Sequence, residues 1–227
     1  MRETTAFAIV LTVTALTGSP ARAADELDSP RADAAHHTVE FENDQVRIVR
    51  YVIPPGETAA LHSHPALVNV FLTDGELRAT ARDGSTSDVH PRAGTAAWRE
   101  PTVHAVANVG TTVVEGVLVE PKGRAAPGWA PPPRDAVKVT STDRLEFEND
   151  RVRIVRYSIG AGETTPMHDH PTGVQILLTD ARARQTTPDG KTAEVAGKAR
   201  AARFRPALSH AVENLGDRFE GILVDLK

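Results

Sequence analysis

The chain has 227 residues, a formal net charge of −4, 40% hydrophobic residues and no cysteine. A chain of this length can form one large domain or two small ones. No basic patch is evident, which argues against a nucleic-acid partner. Without cysteine, disulfides are excluded, and so is thiolate chemistry, both as nucleophile and as metal ligand.

Residues 1–23 have the pattern of a secretory signal peptide. Arg2 precedes an apolar run over residues 6–16, and a small-residue cleavage pattern ends at Ala23. The run is shorter than the roughly 20 apolar residues of a membrane-spanning helix. We therefore predict cleavage after Ala23 and a periplasmic or secreted mature protein without a membrane segment. An N-terminal anchor or a disordered tail is the alternative.

Residues 24–37 are small, polar and contain a proline, which predicts a flexible lead-in. His36 and His37 stand at its end. We expect these two histidines to be a solvated surface pair rather than metal ligands.

An internal duplication follows the lead-in. Residues 40–44 (EFEND) recur as residues 146–150, and residues 46–51 (VRIVRY) recur as residues 152–157. One offset of 106 residues relates both pairs, which indicates a single unit repeated in tandem. We predict one domain at 38–120, a proline-rich linker at 121–137 and a second domain at 138–227.

Each unit has the pattern of an all-β domain. Short valine-rich runs, bounded by glycine, proline and aspartate, predict strands at 46–53, 68–72, 103–109 and 113–119. Many short strands at roughly 8–12-residue spacing are typical of a sandwich or barrel. No convincing amphipathic helix is apparent.

Six of the nine histidines are matched across the two units. In a β-strand, alternate side chains share a face, so both members of a His-x-His pair can aim at one point. Two neutral imidazoles aimed at one point are most of a divalent metal site. The alternative is that these histidines are structural. The matched pairs are His62 with His168, His64 with His170, and His104 with His210.

These histidines lie in a pattern that resembles the cupin superfamily. Gly56-x5-His62-x-His64, followed by Gly94 and then by His104-x3-Asn108, is similar to the two cupin sequence motifs. The second unit repeats the histidine elements at 162–170 and 210–214. The resemblance implies a bicupin, with two tandem double-stranded β-helix (jelly-roll) barrels.

The resemblance also implies that the three histidines of each unit bind a metal inside the barrel. Many cupins have a glutamate five residues after the second histidine as a fourth ligand, whereas this chain has Asn69 and Gln175 there. We expect these amides at the fourth position or in the second shell. Three imidazoles leave a divalent ion its full charge, which favours an anionic or chelating ligand. Zn, Fe, Cu, Ni and Co all suit such a site.

Three functions are compatible with this pattern. The first is an exported bicupin, monomer or homodimer, that binds a small anionic or chelating ligand at two three-histidine metal centres. The second is a metal-dependent dioxygenase, isomerase or hydrolase that acts on a small substrate. The third is a structural or interaction protein with vestigial metal sites. The sequence leaves open whether the protein is an enzyme. If it is one, a dioxygenase is favoured. No catalytic residue is predicted.

Overall fold

The computed structural model describes residues 26–123 and 128–227. The predicted signal peptide lies outside them, as does part of the predicted linker. Within the described ranges, no helix combines the length and the apolar character that crossing a membrane requires.

The first unit is an antiparallel β-sandwich behind one helical turn, α1 (Ser29–Ala32). Its two sheets have the strand orders β1-β2-β9-β4-β7 and β3-β8-β5-β6. The strands are β1 (His37–Glu42), β2 (Val46–Ile53), β3 (Thr58–His64), β4 (Leu67–Phe71), β5 (Leu77–Ala81), β6 (Thr86–Val89), β7 (Ala96–Arg99), β8 (Thr102–Asn108) and β9 (Val114–Pro121).

The second unit repeats this plan behind α2 (Ala136–Val139). Its sheets have the orders β10-β11-β18-β13-β16 and β12-β17-β14-β15. The strands are β10 (Asp143–Glu148), β11 (Val152–Ile159), β12 (Thr164–His170), β13 (Gly173–Leu177), β14 (Ala181–Thr186), β15 (Thr192–Gly197), β16 (Ala202–Arg205), β17 (Leu208–Asn214) and β18 (Phe219–Leu226). The identical strand orders confirm the predicted all-β fold of two duplicated jelly-roll barrels.

The segment before β1 differs from the flexible lead-in expected there. Asp28 forms a β-bridge with Ser63, and its carboxylate accepts two hydrogen bonds from Arg47 at 2.7 and 2.6 Å. The second unit has the same arrangement, in which Asp135 bridges to Asp169. The duplicated unit therefore includes the helical turn, which an ion pair and a bridge hold against the barrel.

Strand β2 is buried on both faces. Val49, Tyr51 and Ile53 belong to the apolar interior of the first barrel. Val46 and Ile48 point the other way, into a cluster that contains residues of both barrels. Burial on both faces explains why VRIVRYVI is nearly continuously apolar instead of alternating strictly.

The two barrels pack through the outer faces of their five-stranded sheets. Phe41 of the first barrel stacks on Phe204 of the second, with ring centroids 5.2 Å apart. Arg50 donates to the carbonyl oxygen of Arg200 at 2.8 Å, and its counterpart Arg156 donates to that of Gly94 at 2.6 Å. Because equivalent arginines make equivalent contacts, the interface has pseudo-two-fold symmetry.

Candidate metal centres

In the second barrel, neighbouring strands bring three histidines together. His168 on β12 and His210 on β17 are direct cross-strand partners, and His170 lies two residues further along the same face. One nitrogen from each of the three lies within 4.8 Å of the others. The trio expected from the sequence is therefore assembled around one point.

The first barrel has the same cross-strand pair and one additional histidine. His62 and His104 are partners on β3 and β8, with ring centroids 4.8 Å apart, and His64 lies 4.7 Å from His62. The group whose nitrogens lie within 4.8 Å of one another is however that of His37, His62 and His64, without His104. His104 borders this group, 5.5 Å from His64 between ring centroids.

The expectation of a solvated pair at His36 and His37 is wrong. Their side chains are only 8% and 3% exposed. Asp33 accepts hydrogen bonds from both rings, at 2.9 Å from His36 and 3.0 Å from His37. The buried Asp33 thus holds both rings inside, with His37 directed to the centre and His36 to Glu57.

Backbone carbonyls select the nitrogen that faces each centre. Nδ1 of His62 lies 2.6 Å from the carbonyl oxygen of Ala60, and Nδ1 of His168 lies 2.8 Å from that of Pro166. A ring that donates through Nδ1 keeps the lone pair of Nε2 for a metal.

Burial lowers the pKa of five of these histidines and so favours their neutral form, which is the form that binds a metal. It lowers the pKa of His62 to about 3, with neighbouring imidazoles adding to the effect. For the same reasons the pKa of His104 falls to about 4 and that of His210 to about 3. The pKa of His37 and that of His170 are also lowered, chiefly by burial.

Behind His64 lies a buried chain of charged groups. Arg47 pairs with both Asp28 and Glu120, and Nδ1 of His64 lies 3.8 Å from Oε1 of Glu120. Neither of these last two atoms has a hydrogen-bond partner in the described structure. A carboxylate behind a histidine ligand raises the basicity of the ring and orients it, so this placement suits a metal-binding imidazole.

The second barrel has a buried arginine at its cavity, Arg205, which matches Arg99 of the first barrel. The counterpart of Arg47 is Arg153. Arg205 lines the cavity, is 7% exposed, and donates through Nη2 to Asp225 at 3.3 Å. Its Nε and Nη1 have no partner among the described residues. Burial raises the pKa of Asp225 to about 6, against the influence of Arg205 and Arg153. Two donors of a buried cation are therefore available to an anion in this cavity.

Both amides named from the sequence line the cavities and contact a buried tyrosine. Asn69 accepts from the hydroxyl of Tyr51 at 3.2 Å, and Gln175 donates to the hydroxyl of Tyr157 at 2.8 Å. The oxygen of Gln175 also accepts two bonds from Arg203, at 2.8 and 2.5 Å. These bonds place the amides beside the centres, while their ligation of a metal stays a prediction.

The histidines open into cavities that differ between the barrels. The first cavity has about 470 Å³ and is lined mainly by apolar side chains, with Arg99 at its wall. The second has about 320 Å³ and is more polar, because Arg203, Arg205 and Gln175 line it. Each leaves room for a small molecule beside the imidazoles.

The donors present fit a divalent transition metal. Several neutral imidazoles converge in each barrel, and Nδ1 of His64 and Nδ1 of His210 are buried without a partner. Imidazole nitrogens of this number suit Zn, Cu, Ni, Co or Fe.

Sequence reasoning missed three residues that line the two cavities: His37, Asp143 and Arg205. A signal for the first two was present, because His37 and Asp143 are 106 residues apart and both carry metal-binding groups. Arg205 carried a signal too, because Arg99 stands 106 residues before it and each of the two lines the cavity of its barrel.

Comparison with known proteins identifies the fold. No family model matches the sequence, and no curated protein matches it significantly. AerE from Microcystis aeruginosa is 15% identical with a TM-score of 0.58, covering 85% of this chain and 93% of AerE. A cupin 2 conserved barrel domain protein from Leptotrichia buccalis is 13% identical with a TM-score of 0.51, covering 84% of this chain and 88% of its own.

An oxalate decarboxylase variant from Bacillus subtilis is similar over both barrels. It is 13% identical with a TM-score of 0.57, covering 83% of this chain and 71% of the decarboxylase. The chain has the bicupin fold. The predicted resemblance to cupins is thereby confirmed at the level of architecture, and the bicupin's chemistry has to be argued from its own residues.

Proposed function

We propose that this protein is an exported, metal-binding bicupin whose two histidine centres bind small anionic or chelating ligands. The observation that carries the proposal is the convergence of buried imidazoles on a cavity in both barrels. An imidazole whose pKa burial has lowered, such as that of His62 or His210, accepts a divalent ion without first losing a proton. The bound ion would supply a positive charge and open positions for an oxygen- or nitrogen-donor ligand.

The anionic character of the ligand is argued from the second barrel. Around His168, His170 and His210 the nearest strong cation is Arg205, which has two unpartnered donors. A buried guanidinium beside a divalent ion favours a carboxylate or a similar small anion, because both charges act in a poorly solvated cavity. The oxalate decarboxylase among the structural neighbours acts on such an anion, although that likeness extends to the fold alone.

The metal is tested by elemental analysis of the protein from its native compartment and by reconstitution of the metal-free chain. We expect two equivalents of metal for the unaltered protein and one for the double variant His168→Ala/His170→Ala. His90→Ala is the matched control, since His90 is exposed and outside both cavities. Absence of metal, together with no change in Tm on adding Zn, Cu, Ni or Fe, would favour the structural role instead.

The ligand is tested by titrating the Co²⁺-loaded protein with azide and with acetate and following the visible spectrum. Arg205→Gln should keep the metal and weaken anion binding to the second barrel by tenfold or more, since a hydrogen bond to a charged group contributes about 1.5–3 kcal/mol. Arg182→Gln is the control, because Arg182 pairs with Glu194 on the surface. Equal affinity in both variants would contradict the role of Arg205.

A dioxygenase is the second candidate, favoured by the large, mainly apolar cavity of the first barrel. Such a cavity suits a small aromatic or diketone substrate beside a metal. Oxygen consumption by the Fe- or Cu-loaded protein with thiols, phenols and diketones separates turnover from binding. If no member of this panel changes the oxygen uptake, the dioxygenase is excluded for these substrates and the binding function is retained.

A further inference from the structure

The first strand of each unit carries a metal-binding side chain at the same position. His37 begins β1 opposite Tyr51, and Asp143 begins β10 opposite Tyr157. Both line the cavity of their barrel. The strands β1 and β10 belong to the five-stranded sheets, whereas the three matched histidines of each barrel lie on the four-stranded sheet. His37 and Asp143 therefore approach the histidines from the opposite wall of the cavity.

His37 meets the histidines of the first barrel directly. Its ring centroid lies 4.6 Å from that of His62 and 5.6 Å from that of His64. Because Nδ1 of His37 donates to Asp33 at 3.0 Å, Nε2 is left as the ligand atom. Asp33 also bonds to His36, whose other nitrogen turns to Glu57, so what sets His37 apart is that its free nitrogen faces the other imidazoles.

Asp143 is oriented in the corresponding way. The hydroxyls of Thr140 and Thr142 donate to the same oxygen, Oδ1, at 3.0 and 2.8 Å. Thr140 ends α2 just as Asp33 ends α1, so one structural position orients the side chain in both barrels. Among the described residues no hydrogen bond reaches Oδ2. Asp143 lines the cavity but lies outside the group of three nitrogens, so its side chain has to turn towards them to reach an ion.

We propose that His37 and Asp143 are the fourth protein ligands, so that the two centres are chemically different. The first would hold its ion with the four imidazoles of His37, His62, His64 and His104. The second would use the three imidazoles of its trio and one carboxylate. This inference rests on the proposed function, because it requires that both barrels bind a metal.

The difference in ligands predicts a difference in metal preference. Four neutral nitrogens keep the full charge of a divalent ion and favour Cu²⁺, Ni²⁺ or Zn²⁺. A carboxylate removes one unit of that charge and also suits harder ions such as Mn²⁺ or Fe²⁺. The second barrel should therefore accept a wider range of metals than the first.

The experiment isolates each centre in the full chain. His168→Ala/His170→Ala leaves the first barrel, and His62→Ala/His64→Ala leaves the second. Cu²⁺ is the probe, with affinity from a competitive titration and the number of coupled nitrogens from electron paramagnetic resonance. His36→Ala is the matched control for His37→Ala, because His36 shares Asp33 but turns its other nitrogen to Glu57.

We expect His37→Ala to lower the Cu²⁺ affinity of the first barrel at least about tenfold and to reduce the coupled nitrogens from four to three. His36→Ala should change neither. Identical behaviour of the two variants would overturn the inference while leaving the proposed function intact. A chain in which neither barrel binds metal would overturn both.

A gain of ligand tests the same idea if His37→Ala folds poorly. Asp143→His should add a fourth coupled nitrogen to the second barrel and raise its preference for Cu²⁺ over Mn²⁺. An unchanged nitrogen count in a folded Asp143→His protein would show that this strand position does not reach the ion.

Discussion

At the scale of single residues, each centre is a group of imidazoles that the fold buries against one another. Asp33 bonds to His37, while the carbonyls of Ala60 and Pro166 bond to His62 and His168. These bonds fix which nitrogen is free, and burial lowers the pKa of His37 and His62. The fold therefore assembles the donors before any ion arrives, and the metal-free protein holds several imidazoles that resist protonation.

That resistance predicts how the stability of the metal-free protein depends on pH. The folded-state pKa of His62, His104 and His210 lies at about 3–4, below the usual 6.5. Between about pH 4 and 6.5 the unfolded chain binds more protons, so the free energy of unfolding should rise with pH there and level off above. The pKa values of Asp143, Asp225 and His36 are raised, so these three groups oppose the trend, but they are fewer than the five histidines whose pKa is lowered.

Urea unfolding of the metal-free protein at several pH values measures this slope. His62→Gln/His104→Gln should make it shallower, because two groups that protonate only on unfolding are removed. A stability that is flat, or that falls, from pH 4.5 to 6.5 would show that the rings are already protonated in the folded state.

At the scale of elements, a tyrosine–glycine pair connects three strands of the sheet that backs each cavity. Gly116 on β9 lies opposite Tyr51 on β2, and a Cβ at Gly116 would overlap the tyrosine ring. The ring thus crosses β9, and its hydroxyl reaches Asn69 on β4. Gly221 and Tyr157 repeat the arrangement towards Gln175.

Replacing that glycine should strain the sheet. Gly116→Ala should lower the free energy of unfolding by about 1–3 kcal/mol, since an added methyl in a packed core displaces its neighbours. The measurement is chemical denaturation with Tyr51→Leu and the double variant. The double variant should lose less than the sum of the single ones, because the clash needs both partners. Additive losses would contradict the pairing.

The sequence predicts most of the strands, but it does not predict which faces of the elements pack together. The strands at β2, β4, β8 and β9 follow from their valine-rich runs, since extended apolar segments between turn residues have few other solutions. Burial of His37 did not follow, because its segment is polar and its partner Asp33 acts through a helical turn too short to show a period. The local composition predicts a flexible segment, whereas the ion pair between Asp28 and Arg47 holds that segment against the barrel.

At the scale of the whole molecule, the two barrels share one apolar cluster. Val46, Ile48 and Val70 of the first barrel belong to the same buried group as Ile154 and Ile176 of the second. In the central strands of the five-stranded sheets, one face packs in the strand's own barrel and the other packs against the partner barrel. Each barrel thus covers the apolar sheet face through which the other barrel could bind a second copy of the chain. We therefore expect the protein to be a monomer.

A charge at this interface tests whether the barrels depend on one another. Ile48 is fully buried there, whereas Val52, on the same strand, is 37% exposed. Ile48→Asp should lower the free energy of unfolding by more than about 4 kcal/mol, because a carboxylate is buried without a partner. Val52→Asp should cost little. Sedimentation velocity and chemical denaturation measure the effect of both variants. The unaltered protein should unfold in one transition, because the outer sheet face of each barrel is buried only while the other barrel is folded. Two separate transitions, with only the first shifted by Ile48→Asp, would show instead that each barrel folds independently.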